Sequence, residues 1–187
     1  MEIVQTFDNS VLNFLNSIQN GFFDWLFKIS TYLGDNGYLW FGIAFILLCF
    51  KKTRGLGVTI ILSMGLSFLC SNVIIKNLVR RARPFIKNKE IQLIIKAPYG
   101  YSFPSAHSSS SFAAATSIFA KNKKSGMAAY FVASMITLSR SYLHVHYPTD
   151  IICGAVIGVL CGVFGTSIFK KLEKLYLNDK ENKVGNT

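Results

Sequence analysis

Long apolar runs separated by short polar segments dominate the chain. Residues 56–75, 125–139 and 151–169 carry no charged side chain, and residues 38–50 form a shorter apolar run that extends back to about residue 34. A helix needs about 20 mostly apolar residues to cross a hydrocarbon core roughly 30 Å thick, so each run reads as a membrane-spanning helix. Residues 105–120 are small and weakly hydrophobic. They would make poor lipid-facing surface and read as a helix inside a bundle. The start is more polar, with Asn13, Asn16, Gln19, Asn20, Asp24 and Lys28. It reads as an interfacial amphipathic turn or two, then a span from about Gly21 to Leu33. Asp24 and Lys28, four apart, would pair on one helix face. The pattern predicts an all-α, integral-membrane six-helix bundle. It forms one domain over residues 1–187, with its polar motifs within 76–150 and a tail over 170–187. The first ten residues lack a basic n-region, so the first span would itself insert the chain.

Composition narrows the class. The chain is 51% hydrophobic and only 16% charged, against about 25% charged for a typical soluble domain. Disorder is excluded, and a soluble nucleic-acid binder would carry more charge overall. Yet 20 Lys and Arg against 9 Asp and Glu leave a net charge of +11. Cytoplasmic loops are enriched in Lys and Arg. Lys51, Lys52, Arg54, Lys121, Lys123, Lys124, Lys170, Lys171, Lys174, Lys180 and Lys183 follow the second, fourth and sixth spans. They put that side, and both termini, in the cytoplasm. Lys76, Arg80, Arg81, Arg83, Lys87, Lys89, Lys96 and Arg140 then fall on the outer side, where the rule would not put them. Such charges are functional candidates. Cys49, Cys70, Cys153 and Cys161 sit in apolar runs without a CxxC pair and read as small core residues.

The outer side also collects all three histidines, His107, His144 and His146, in three blocks. In the first, Lys76 and Arg83 are seven apart and would share a helix face, with Arg80 between them and Pro84 ending the helix. Convergent Arg and Lys suit phosphate oxygens. In the second, Pro104-Ser105 reads as a helix start whose free N–H groups favour an anion, with His107 over the same turn. Ser108–Ser111 read as close-packing residues. In the third, Pro148 starts the last span, with Asp150 four residues after His146. A carboxylate accepting the Nδ1–H of His146 would leave Nε2 free as a nucleophile, and His107 could protonate a leaving oxygen. Each block alone has an ordinary reading: headgroup anchoring, a surface histidine, a helix cap. Their convergence on one membrane face is what points to chemistry. Gly154, Gly158 and Gly162 form G-x3-G-x3-G on the last span. They read as a close-packing face within the bundle, or as a homodimer face.

Together, K-x6-R-P, P-S-x-H and S-R-x5-H-x3-D resemble the signature of the type 2 phosphatidic acid phosphatase (PAP2) superfamily. The resemblance covers residues 60–170 and departs at Ala106, where the family usually has Gly; a helical backbone there would accept the methyl group. It implies that Lys76, Arg83, Ser105 and Arg140 bind phosphate and that His146 attacks phosphorus to form a phosphohistidine. It further implies that Asp150 orients His146, that His107 protonates the leaving oxygen, and that no metal or other cofactor takes part. His144 would be peripheral. The cations outside the motif would either attract an anionic headgroup or a second phosphate, or merely coat the surface. The implied partners are the bilayer and a lipid phosphate, with no nucleic acid. The expected protein is a multi-pass lipid phosphatase of the cell membrane with its site outside. Undecaprenyl diphosphate is the leading substrate, ahead of phosphatidylglycerophosphate or phosphatidate. A non-catalytic lipid-phosphate binder would lack a catalytic His or Asp, and all three are present.

Overall fold

The computed structural model describes residues 2–185. Met1, Asn186, Thr187 and the side chains of Lys180, Asn182, Lys183 and Val184 lie outside the described residues. The elements are α1 (Glu2–Ser17), α2 (Gly21–Gly34), a 3-10 turn (Asp35–Gly37), α3 (Tyr38–Leu48) and α4 (Arg54–Phe68). A π-helical segment (Leu69–Ile75) joins α4 to α5 (Lys76–Val79), and α6 (Pro84–Lys87), α7 (Ala106–Lys121), α8 (Lys123–Tyr142) and α9 (Pro148–Gly185) follow. Among the described residues there is no strand. The two segments 54–87 and 148–179 are long and apolar enough to cross a membrane by length and composition.

The bundle of α2, α3, α4, α7, α8 and α9 is built inside out. Its interior is small and polar, and its periphery is greasy. Helix α7 sits at the centre against α4, α8 and α9 and buries Ser108, Ser109, Ser111, Ala113, Ala114, Ala115, Thr116 and Ser117. Short interhelical hydrogen bonds tie part of this interior together: Trp40 Nε1 to Ser111 Oγ at 2.9 Å, Ser117 Oγ to Ser63 Oγ at 2.8 Å, and Thr116 with Tyr130 at 2.7 Å. Phe45, Phe68, Phe131, Val156 and Phe164 point outward. Small residues inside and large apolar ones outside is the pattern lipid favours, since association there rests on close packing. The weakly hydrophobic run 105–120 is therefore the interior helix that its composition suggests.

The glycine face of α9 lies on α7 of the same chain. A Cβ at Gly154 would come 2.6 Å from Ser105 O, one at Gly158 would come 2.3 Å from Ser109 O, and one at Gly162 would come 2.5 Å from Thr116 Cβ. The face offered by Gly154, Gly158 and Gly162 for a homodimer is thus already filled, and that use of it is corrected.

The N-terminal region departs from expectation. α1 is a full four-turn helix, not a turn or two, and it lies across the end of the bundle that holds the histidines. Its Asp8 contacts Arg81 and Thr149. Helix α2 follows only the last two turns of α8. Asp24 accepts from Tyr142 Oη at 2.6 Å, in place of the expected pairing with Lys28, and Gly34 sits against Ile136 and His107. Both ends of α2 therefore stay near the histidine end. From there α9 runs away for 38 residues, about 57 Å at 1.5 Å per residue. The N-terminal helix and the C-terminal tail lie at opposite ends of the bundle, which corrects the expectation that both termini share one side.

Candidate active site

Three breaks in helical geometry shape the site. First, α5 stops at Arg80, whose φ of 50° is left-handed. Residues 81–83 are non-helical, and Pro84 begins α6 with the extended Arg83 as its N-cap. Pro84 thus starts a helix where it was expected to end one, and Arg83 is turned back over the bundle rather than stacked above Lys76. Second, Ser105 caps α7, its side chain accepting from Ser108 N at 3.4 Å. Ala106 opens that helix with no positive φ, so its methyl group costs no backbone strain. Third, the chain between α8 and α9 makes a tight loop. Val145 N and His146 N both donate to Arg140 O at 3.1 Å, and His144 takes a left-handed φ of 55°.

His146, at the end of that loop, is buried. Its Nε2 lies 3.2 Å from Arg83 Nη1. A guanidinium only donates, so Nε2 is the accepting nitrogen and the proton rests on Nδ1. Nδ1 does not bond Asp150 directly, because its distance to Oδ2 is 3.6 Å, beyond hydrogen-bond range. Ser102 bridges instead: its Oγ lies 3.4 Å from Nδ1 and donates to Asp150 Oδ2. Asp150, at the third position of α9, also accepts from Tyr147 N at 2.9 Å, half of a capping box. Burial first, and then the fields of Arg83 and Arg140, push the His146 imidazole down to about 3 against the opposing pull of Asp150. At neutral pH it is uncharged.

The cations converge on this imidazole. Arg83 is strapped by three carbonyls, those of Gly100 (3.0 Å), Tyr99 (3.0 Å) and Val145 (2.8 Å). Arg140 is buried and donates to Thr31 Oγ1, while its Nε has no hydrogen-bond partner among the described residues. Lys76 Nζ rests on Asn72 Oδ1 at 3.3 Å and is within electrostatic reach of Arg83, Arg140 and Asp150. His107 lies within reach of Arg140 and Lys76. Its Nε2 meets Asp35 Oδ1 at 2.9 Å, and that hydrogen bond holds Asp35 below the usual carboxylate range. Beside His107 opens a largely apolar cleft of about 510 Å³, lined by Gly37, Phe41, Met64, Phe68 and Ala106.

The structure thus brings Lys76, Arg83, His107, Arg140, His146 and Asp150 to one place, and gives Ser105 a capping hydrogen bond at its edge. His144 points away, toward Gln19 Nε2 at 3.4 Å. Sequence reasoning missed Ser102, Asp35 and Thr31, single polar residues with no motif spacing to mark them. It also left Arg81 outside the site, yet Arg81 Nη1 lies 2.6 Å from Asp150 Oδ1.

The chain is also similar to known proteins. A family profile described as the PAP2 superfamily matches residues 56–174. The chain is 29% identical over 144 residues to an undecaprenyl-diphosphatase of Sulfolobus acidocaldarius, covering 74% of this chain and 69% of that protein. It is 28% identical over 170 residues to a lipid A 4'-phosphatase of Bacteroides thetaiotaomicron, covering 84% and 75%. The crystal structure of LpxE from Aquifex aeolicus superposes with a TM-score of 0.75 at 26% identity, over 84% of this chain and 93% of that one. The fold also matches a transmembrane PAP2-type phosphatidylglycerolphosphate phosphatase from Bacillus subtilis, with a TM-score of 0.76 at 23% identity over 91% and 88%. With its profile match spanning more than half of the sequence, this membrane protein belongs to the PAP2 superfamily and is a lipid phosphate phosphatase.

Proposed function

We propose that the whole chain is one catalytic domain that hydrolyses a lipid diphosphate, undecaprenyl diphosphate foremost, through a phosphohistidine on His146. The observation that carries this reading is the pairing of an uncharged, enclosed His146 with Arg83 at 3.2 Å. A guanidinium that straps the phosphate oxygens also shields the nucleophile until substrate draws it away. Lys76, Arg83 and Arg140 bind the phosphate, and the unpartnered Arg140 Nε gains an acceptor when they do. The Nε2 lone pair of His146 attacks phosphorus. The bond from phosphorus to the lipid-side oxygen breaks as His107 delivers a proton to that oxygen, leaving lipid monophosphate and phosphohistidine. Water, giving its proton to His107, then attacks phosphorus and releases inorganic phosphate and free His146. Positioning and charge stabilisation supply the catalysis. The three cations provide the positive charge, and no metal enters a step.

The apolar cleft beside His107 suits a long hydrocarbon chain. The likeness to an undecaprenyl-diphosphatase over 144 residues supports the diphosphate. In this reading the histidine end of the bundle faces outward from the cell membrane and the lysine-rich end faces the cytoplasm. The test is phosphate release in detergent from undecaprenyl diphosphate, phosphatidylglycerophosphate, phosphatidate and a soluble phosphate ester. Undecaprenyl diphosphate is expected to give the highest kcat/KM. His146→Ala should lose roughly 10⁴-fold or more in kcat, and excess EDTA should leave activity intact. Preference for a phosphatidyl substrate would overturn the substrate, and an active His146→Ala would overturn the mechanism.

A further inference from the structure

Resting on that mechanism, we propose that Asp8 and Arg81 are positioning residues for the reaction. They form a carboxylate–guanidinium–carboxylate relay that sets the charge standing behind His146. Arg81 bridges two buried carboxylates, with Nη1 2.6 Å from Asp150 Oδ1 and Nη2 2.5 Å from Asp8 Oδ2. Its guanidinium also lies 3.8 Å over the Tyr147 ring and donates to Thr149 Oγ1 at 2.8 Å. Asp8 has no exposed side-chain surface. Besides Arg81 it accepts from Thr149 N at 2.9 Å and Thr149 Oγ1 at 2.8 Å. A helix that presents Ile3, Phe7 and Phe14 outward and buries Leu12 thus also drives one carboxylate into the first turn of α9, next to Asp150.

The charges explain why. When His146 attacks phosphorus its ring becomes positive, and the negative charge relayed through Ser102 from Asp150 favours that change. Arg81 alone would cancel this charge. Asp8 cancels Arg81, so the three groups together present one net negative charge to the imidazole. Arg81 holds the Asp150 carboxylate in place, and Asp8 keeps Arg81 from silencing it. A buried ion pair that only tethered α1 would not require the arginine to touch Asp150.

Charge rescue separates the two roles. Asp8→Asn keeps an acceptor for Thr149 but makes the cluster neutral. It should lower kcat about tenfold or more, in line with the effect of removing outer partners at metal sites, with KM unchanged. Asp8→Asn/Arg81→Gln restores one net negative charge and should recover kcat above the single variant. A tether predicts the reverse, since the double variant breaks more contacts. A full-speed Asp8→Asn, a loss confined to KM, or a double variant no faster than the single would overturn the proposal. If Asp8→Asn does not accumulate as folded protein, Arg81→Lys keeps the charge but cannot span both carboxylates. It must then lower kcat at unchanged KM, and wild-type kcat would overturn the relay. His146→Ala measured alongside keeps the failures distinct: if it is active the phosphohistidine mechanism falls, and if it is dead while Asp8→Asn is unaffected only the relay falls.

Discussion

Arg83 Nη1 sits 3.2 Å from His146 Nε2, with the arginine as the donor. One contact therefore fixes the imidazole tautomer and joins the proposed nucleophile to the proposed phosphate clamp. Nδ1 keeps its proton and turns it toward Ser102.

Arg83→Lys tests that double duty. An ammonium cannot reach three carbonyls and His146 at once in the planar fork that arginine provides. The expected result is a fall in kcat/KM of about 100-fold or more, seen in both kcat and KM, because orientation of His146 and phosphate binding fail together. A rise in KM with kcat preserved would mean that Arg83 binds phosphate without orienting the histidine.

Asp35 supports His107 at 2.9 Å, and its contribution should depend on the leaving group. Asp35→Asn is expected to slow release from an alkyl or prenyl phosphate by about 10- to 100-fold, a part of the roughly 10²- to 10⁴-fold that general acid catalysis supplies. A p-nitrophenyl phosphate, whose leaving oxygen departs without a proton, should be nearly unaffected. Equal losses on both substrates would remove Asp35 from the proton path.

Stability should fall on acidification from the histidine side. His146 is pushed down to about 3 by burial, and burial also lowers His144. Below about pH 6.5 the unfolded chain takes up protons that the folded chain refuses, so the stability held above that pH drains away until about pH 3. The thermal midpoint in detergent is expected to be level from pH 7 to 8 and to drop steadily below 6.5. The drop should be shallower in His146→Asn, with His144 retaining part of the slope. Parallel curves would show that His146 is not the group responsible.

The glycines of α9 and α4 should respond oppositely to the same change. Alanine improves helix propensity by about 1 kcal/mol over glycine. At Gly158 the new Cβ would fall 2.3 Å from the backbone oxygen of Ser109, whereas at Gly65 nothing lies within 4 Å. Gly65→Ala is expected to raise the thermal midpoint slightly. Gly158→Ala should lower it, as overpacking costs about 1–3 kcal/mol. A midpoint raised by Gly158→Ala would mean that α7 and α9 separate freely.

What could be read in the sequence was whatever a fixed spacing records. Lys76 and Arg83, Ser105 and His107, and Arg140, His146 and Asp150 belong to three short blocks, and the chain brings those blocks to one end of the bundle. Ser102, Asp35 and Asp8 arrive by tertiary folding from loops and a helix with ordinary composition. No period or interval distinguishes a serine that bridges His146 to Asp150 from a serine in any loop. Pro84 misled because proline ends one helix and starts another equally well, and it was Arg80 that had already turned left-handed. The path of α2 was hidden for a similar reason. Fourteen amphipathic residues look like a short span until Asp24 is found on Tyr142 and Gly34 on Ile136.

The close seating of Gly154 on Ser105 O has one more consequence. It fixes the first turns of α7 and α9 side by side, and Ser105 N even donates to Asp150 O at 3.1 Å. Each helix carries a macrodipole worth roughly half a positive charge at its N-terminus, and here two of them start together beside the histidines. Their combined field belongs to the backbone and has no proton to lose. The pocket's attraction for an anion therefore has a permanent component that persists at any pH at which the helices stay folded.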